Sequence, residues 1–114
     1  MKVIKMICVD LPLKDGSCEK VWLRRLSRNT GEIDNIPFLT RDYKYKDVIE
    51  FNPLTLDAIK VISDGGYTPT EIIKYTDGFD NAKAEWEAKG YEIEGVMLGV
   101  LAVTKRRNNY EDNS

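Results

Sequence analysis

Histidine is absent from this chain of 114 residues. Its absence excludes Ser-His-Asp and Cys-His nucleophilic sites, histidine general bases and most zinc sites. The glycine-rich phosphate loops of the Walker A and G-x-G-x-x-G types are absent as well. The sequence therefore predicts a protein that is not an enzyme and that carries no cofactor and no metal.

Cysteine is scarce, with Cys8 and Cys18 ten positions apart. This spacing fits neither a zinc-binding pair nor a redox C-x-x-C motif. Cys8 lies in the apolar run over residues 3–9 and is interpreted as a small core residue. A disulfide between the two cysteines stays open, although intracellular chains rarely keep one.

Long apolar runs are also missing. Nothing in the sequence approaches the roughly 20 apolar residues that a membrane-spanning helix needs. The apolar stretch near the N-terminus is interrupted by Asp10, far short of the apolar core of a signal peptide. We therefore expect a cytoplasmic protein that does not associate with membranes.

The composition predicts one domain. Hydrophobic residues make up 42% of the chain, which is enough for a single compact core at this length. Residues 105–114 carry no apolar pattern and end the chain with charged and polar side chains. We expect a single α+β domain over residues 1–104 and a flexible C-terminal tail over residues 105–114.

Hydrophobic periodicity predicts seven strands and one helix. The strands are expected over residues 2–11, 20–27, 32–38, 43–51, 56–63, 68–76 and 91–104. The helix is predicted from the spacing of Phe79, Ala82 and Trp86, with Asp77 or Asp80 as N-terminal cap and Gly90 at its C-terminal end.

The predicted fold class is α+β. Its first part is a mostly antiparallel sheet or a small barrel-like β part, and a strand–helix–strand unit follows. The run over residues 96–103 is almost wholly apolar, which is typical of a central strand that is covered on both faces. A right-handed crossover is expected to place this last strand parallel to the strand over residues 68–76.

Charge is unevenly distributed along the chain. Residues 1–46 hold ten Lys or Arg and six Asp or Glu, a net charge of +4, whereas residues 47–114 hold seven and thirteen, a net charge of −6. Arginines and lysines in the first part alternate with aromatic residues. The candidate binding residues are Trp22, Arg24, Arg25, Arg28, Asp34, Asn35, Arg41, Tyr43, Lys44, Tyr45 and Lys46.

These residues permit more than one interpretation. Arginine and aromatic side chains are enriched at protein interfaces, and a polarised surface orients an oppositely charged partner. The leading hypothesis is a non-catalytic binding protein that acts on another protein as an inhibitor, immunity or regulatory factor. The same residue types bind single-stranded nucleic acid or nucleotides, which is the alternative. A third interpretation gives these residues no binding role and treats them as a solvent-exposed strand face.

The carboxylates leave one further hypothesis open. Glu32 and Asp34 stand two positions apart and can share one face of a strand, where paired carboxylates can hold Mg²⁺ or transfer protons. A metal-dependent enzyme is the weakest of the alternatives, because exposed strands carry such pairs routinely. Asp34 and Asn35 together favour a turn or bulge before Ile36. The pattern leaves the oligomeric state open.

Residues 31–38 read Gly-Glu-Ile-Asp-Asn-Ile-Pro-Phe. This segment resembles the G-x-[LI]-D-N-I-P-F motif of a small bacterial family of unknown function. In that family, a G-D-V-V-like strand, a Ser-Gly-Gly-His-Ser-Thr-like turn, a helix and an L-L-A-V strand follow. The counterparts here are residues 46–49, 63–67 and 101–103. Tyr67 stands at the place of the family's histidine, and Lys46 stands at the place of the glycine that precedes Asp47. The resemblance implies a shared fold and no particular activity.

Overall fold

The computed structural model describes residues 5–107 of the chain. These residues form eight strands and one helix. In chain order they are β1 (Met6–Pro12), β2 (Cys18–Arg25), β3 (Thr30–Ile33), β4 (Val48–Phe51), β5 (Ala58–Ser63), β6 (Glu71–Lys74), α1 (Phe79–Ala88), β7 (Tyr91–Met97) and β8 (Val100–Lys105).

The first five strands form one antiparallel sheet in the order β1-β2-β3-β4-β5. The sheet curls until β1 reaches the start of β5, where the backbone N–H of Asp10 donates to the carbonyl of Leu56 at 2.9 Å. Alternating apolar residues point into this barrel and fill it. Its core consists of Val9, Leu11, Val21, Leu23, Ile33, Tyr43, Ile49, Phe51 and Ala58.

The last three strands form a second antiparallel sheet in the order β6-β8-β7. Helix α1 covers one face of this sheet, and Ala82 packs there against Leu101 and Val103. Trp86 of the helix meets Tyr91 of β7 edge to face, with 5.0 Å between the ring centroids. The central strand β8 is buried from Leu101 to Thr104.

The predicted fold class is wrong, because the expected strand–helix–strand unit is only partly formed: β6, α1 and β7 follow one another, but the last strand, β8, is not parallel to β6. The single strand predicted over residues 91–104 is a hairpin, in which Gly99 takes a φ of 84° and the chain reverses between β7 and β8. A glycine adopts this conformation without steric cost. As a result, β8 lies between β6 and β7 and is antiparallel to both. The described chain is mostly antiparallel β-sheet with one short helix.

The helix ends differ in how well they follow the sequence pattern. Helix α1 begins after Gly78, and no side chain of the described residues caps its first turn, so the predicted capping by Asp77 or Asp80 is wrong. Gly90 follows the helix with a φ of 91°, as predicted. No helix of the described residues is long and apolar enough to cross a membrane.

The described structure continues past residue 104. Lys105 ends β8, and the backbone of Arg106 then pairs with that of Tyr67 in a single antiparallel β-bridge. The backbone N–H of Arg107 donates to the carbonyl of Gly66 at 2.8 Å. Residues 108–114, which complete the predicted tail, lie outside the described residues. The single-domain division at residue 104 stays a prediction.

The two cysteines are free thiols on the β1–β2 hairpin. Cys8 stands opposite Trp22, and Cys18 stands opposite Pro12. Cys8 is only half-buried, and it lies on the opposite face of β1 from the core residue Val9. The prediction that Cys8 is a core residue is therefore wrong.

A buried carboxylate holds the barrel to the turn that leads into the second sheet. Asp47, just before β4, is 0% exposed. Its Oδ2 accepts the backbone N–H of Lys44 at 3.0 Å, and its Oδ1 accepts the backbone N–H of Gly65 at 2.8 Å. Gly65 is pressed against the loop, since a Cβ atom there would lie 2.3 Å from the carbonyl carbon of Lys46. The close approach therefore requires glycine at position 65.

We expect Asp47→Ala to lower the free energy of unfolding by about 2–4 kcal/mol, because it leaves the N–H groups of Lys44 and Gly65 buried without acceptors. Urea unfolding of the purified protein measures this loss. The exposed Asp42 serves as control, and Asp42→Ala should change stability by at most about 0.5 kcal/mol. Equal losses in the two variants would contradict the structural role of Asp47.

Candidate functional site

The outer face of the barrel presents an exposed tryptophan. In β2, Val21 and Leu23 point into the core, so the alternation of the strand places Trp22 and Arg24 on the outside. Trp22 is 54% exposed. The neighbouring strand β1 places Met6, which is 40% exposed, opposite Arg24. The outer face around Trp22, Met6 and Arg24 is called the Trp22 face below.

The cations beside Trp22 are neutralised by carboxylates. An Nη of Arg24 lies 3.5 Å from a carboxylate oxygen of Glu32, which stands opposite it on β3. The Nζ of Lys46 lies 3.7 Å from the same oxygen of Glu32 and 2.9 Å from Oδ1 of Asp34. The hydrogen bond to Asp34 raises the pKa of Lys46, and burial opposes this effect only in part. The positive charge predicted for this face is therefore largely compensated.

The loop after β3 is fixed to β2 by one backbone bond and by side chains. The N–H of Asp34 donates to the carbonyl of Trp22 at 2.8 Å, and Oδ1 of Asn35 accepts the N–H of Trp22 at 2.6 Å. Both bonds join the dipeptide to β2, and the turn or bulge predicted for Asp34 and Asn35 stays a prediction. The strand predicted over residues 32–38 ends at Ile33, where β3 stops.

Two glutamates hold the rest of this loop. Both carboxylate oxygens of Glu19 accept backbone N–H groups, and the bond from Leu39 is 2.7 Å long. Oε1 of Glu94, on β7 of the second sheet, accepts the N–H of Ile36 at 2.7 Å. Ile36 and Pro37 are buried, so the loop fills space between the barrel and the second sheet.

Glu94 is therefore a half-buried acid at the junction of the two sheets. Burial raises its pKa above the usual 4.5, and the nearby carboxylates of Glu19 and Asp34 raise it further. The hydrogen bond from Ile36 acts in the opposite direction, because it stabilises the ionised form. The residue stands two positions from Glu92, and nothing in that sequence pattern distinguishes the buried carboxylate from the exposed one.

A groove of about 340 Å³ lies beside Lys46. It is lined by Glu32, Lys46, Val48, Ser63, Asp64, Gly65, Tyr67 and Arg106. The ring of Tyr67 packs edge to face on Tyr45 with 4.9 Å between centroids, and the Nζ of Lys46 lies 4.9 Å from the Tyr45 ring centroid. Burial raises the pKa of Tyr45. The groove brings together residues from three of the segments that carry the family resemblance.

The predicted binding residues do not form one continuous surface. Trp22, Arg24, Asp34, Asn35, Tyr45 and Lys46 gather on or beside the outer face of the barrel. Tyr43 belongs to the barrel core and is only 7% exposed. Lys44 turns toward Asp47 and Asp64, at 3.6 and 3.7 Å.

The three remaining arginines lie elsewhere. Arg25 stacks over the Phe51 ring, with 5.5 Å between the guanidinium carbon and the centroid, and donates to the carbonyls of Ser27 and Arg28. Arg28 is exposed in the β2–β3 turn, and Arg41 is exposed in the loop before β4. The binding residues predicted from the sequence do not include Met6, Glu19, Tyr67 and Glu94, because the roles of these residues depend on partners that are distant in the chain.

The carboxylate pair proposed for a metal, Glu32 and Asp34, holds the ammonium group of Lys46 instead. In the described part of the chain, no group of three or more Cys, Asp or Glu side chains is arranged to bind a metal ion.

Comparison with known proteins defines the fold alone. No family model and no curated protein matches the chain. Among solved structures, the chain is similar to a hypothetical protein from Neisseria gonorrhoeae, with a TM-score of 0.64 and 15% sequence identity over 99% of this chain and 82% of that one. The likeness agrees with a domain of unknown function. The family resemblance drawn from residues 31–38 stays a prediction.

We expect Glu94→Gln to raise the free energy of unfolding at pH 7 by at most about 1 kcal/mol, since it keeps the acceptor for Ile36 and removes a partly screened charge. A carboxyl whose pKa is raised by folding costs stability above that pKa, and the cost disappears as the pH falls. The gain should therefore shrink between pH 7 and the usual carboxyl pKa of 4.5.

Chemical unfolding of both proteins across this pH range measures the difference. The matched control is Glu92→Gln, which changes the exposed carboxylate two positions away on the same strand and should show no such trend. A loss of stability at pH 7, or a gain that does not change with pH, would contradict the assigned environment of Glu94.

Proposed function

We propose that this chain is a non-catalytic binding protein that acts on another protein, in the class of inhibitors, immunity proteins or regulatory factors. The exposed Trp22 carries the proposal. Tryptophan, arginine and methionine are the residue types enriched at protein interfaces, and tryptophan and arginine dominate their binding energy. The Trp22 face presents one of each on adjacent strands.

Rigidity supports the same proposal. Trp22 stands on a strand whose backbone is held on both sides, by β1 and by the loop containing Asp34 and Asn35. A side chain on a fixed backbone loses less conformational freedom on binding than one on a mobile loop, so more of its burial appears as affinity.

The charge arrangement favours a protein partner over nucleic acid. A phosphate that approached Arg24 or Lys46 would have to compete with Glu32 and Asp34, which already neutralise these cations. Nucleic-acid binding depends on cations that exchange salt counterions for phosphates. Paired charges around an apolar centre instead resemble the polar rim and apolar core of a protein interface.

The test is affinity capture from a lysate of the native source, with and without nuclease. We expect a specific protein to be retained in both cases, and Trp22→Ala to weaken its binding at least about tenfold, because interface tryptophans commonly contribute 2 kcal/mol or more. The matched control is Ile59→Ala on β5, since Ile59 is 53% exposed and Trp22 is 54% exposed.

Binding should be measured with purified partner after both variants have been shown to melt within a few degrees of the wild type. Retention that disappears with nuclease would replace the proposal with nucleic-acid binding. A partner that binds the Trp22→Ala variant as tightly as the wild type would remove the Trp22 face from the interface.

A further inference from the structure

A second surface lies between α1 and the free edge of the second sheet. Helix α1 packs over the β7 side of that sheet through the contact of Trp86 with Tyr91. The opposite edge, β6, is left beside an open groove of about 290 Å³. Ile73, Tyr75 and Trp86 line this groove with apolar and aromatic surface.

The backbone of β6 presents unused hydrogen-bonding groups to this groove. In the antiparallel pairing with β8, the N–H of Tyr75 donates to the carbonyl of Gly99 at 2.9 Å. Backbone groups alternate in direction along a strand, so those of Ile72 and Lys74 point away from β8. No strand within residues 5–107 pairs with this edge. An edge of this kind accepts an added strand.

The rim of the groove defines the charge of a matching segment. The rim carries two carboxylates, Asp77 and Glu85, and one lysine, Lys74, so acidic groups are in excess. Asn81 adds an uncharged polar group. The carboxylate of Glu85 lies 3.8 Å from Lys89, which is an exposed and therefore weak pair. A strand with apolar side chains toward Trp86 and lysine or arginine side chains toward the rim complements the groove.

We propose that the groove between α1 and β6 binds an extended segment of another protein by strand addition. Backbone bonds to Ile72 and Lys74 hold the segment, and every second side chain enters the groove beside Trp86. This mode combines main-chain hydrogen bonds for affinity with side-chain pockets for specificity. The groove shares no residue with the Trp22 face, so either surface can fail in experiment without the other.

A library of random 12-residue peptides displayed on phage is the probe. We expect selection on the wild-type protein to enrich peptides that alternate apolar residues with lysine or arginine. A synthetic peptide of the enriched sequence should shift the emission of Trp86 saturably. This signal is read in a Trp22→Phe background, where Trp86 is the one remaining tryptophan of the two.

The charge-reversed variant Asp77→Lys/Glu85→Lys should bind this peptide at least about tenfold more weakly, a difference of 1.4 kcal/mol. Asp57→Lys/Glu87→Lys makes the same change in net charge away from the groove and should bind as the wild type does. A peptide with proline at its centre should bind at least about tenfold more weakly too, because proline lacks the N–H that an added strand needs.

Amide hydrogen exchange locates the contact. The N–H groups of Ile72 and Lys74 should exchange more slowly when the peptide is bound. A selection that enriches no peptide would overturn the proposal. Equal binding to the two charge variants, or protection confined to other strands, would overturn it as well.

Discussion

The fold depends on one buried carboxylate. Asp47 connects two stretches that are distant in the sequence, since one of its oxygens caps the loop at Lys44 and the other holds Gly65 at the exit from β5. Burying a charge is costly unless its oxygens are bonded, and here the backbone N–H groups meet that demand. The chain thereby leaves the barrel in a fixed direction and begins the second sheet at a defined place.

The junction between the two sheets also depends on acceptors for buried backbone N–H groups. The loop after β3 lies between them. The N–H of Asp34 still donates to Trp22 of β2, whereas the N–H groups of Ile36 and Leu39 donate to the carboxylates of Glu94 and Glu19. A buried backbone N–H must find an acceptor, so a loop at this position requires such side chains. Partial burial destabilises the ionised form of Glu94, but its hydrogen bond from Ile36 links the loop of the barrel to β7 of the second sheet.

The proposed function depends on how charges are paired in space. The excess of arginine and lysine in residues 1–46 favours an acidic or phosphate-bearing partner when it is read along the chain. In the folded protein, Arg24 and Lys46 meet Glu32 and Asp34, and the exposed centre that remains is Trp22. The face therefore changes from a basic strip to an aromatic centre with a neutralised rim.

The sequence by itself determined the local features: the apolar face of α1 and the end of the helix at Gly90. These depend on periodicity and on conformations of single residues, which act within a few positions. Only the tertiary structure decided the reversal at Gly99, the burial of Tyr43 and the ion pairs around Lys46. The burial of Tyr43 and the ion pairs around Lys46 depend on partners many residues away, and the local pattern is the same whether or not those partners are present. The reversal at Gly99 is a local turn inside a continuous apolar run, so the periodicity of that run does not reveal it.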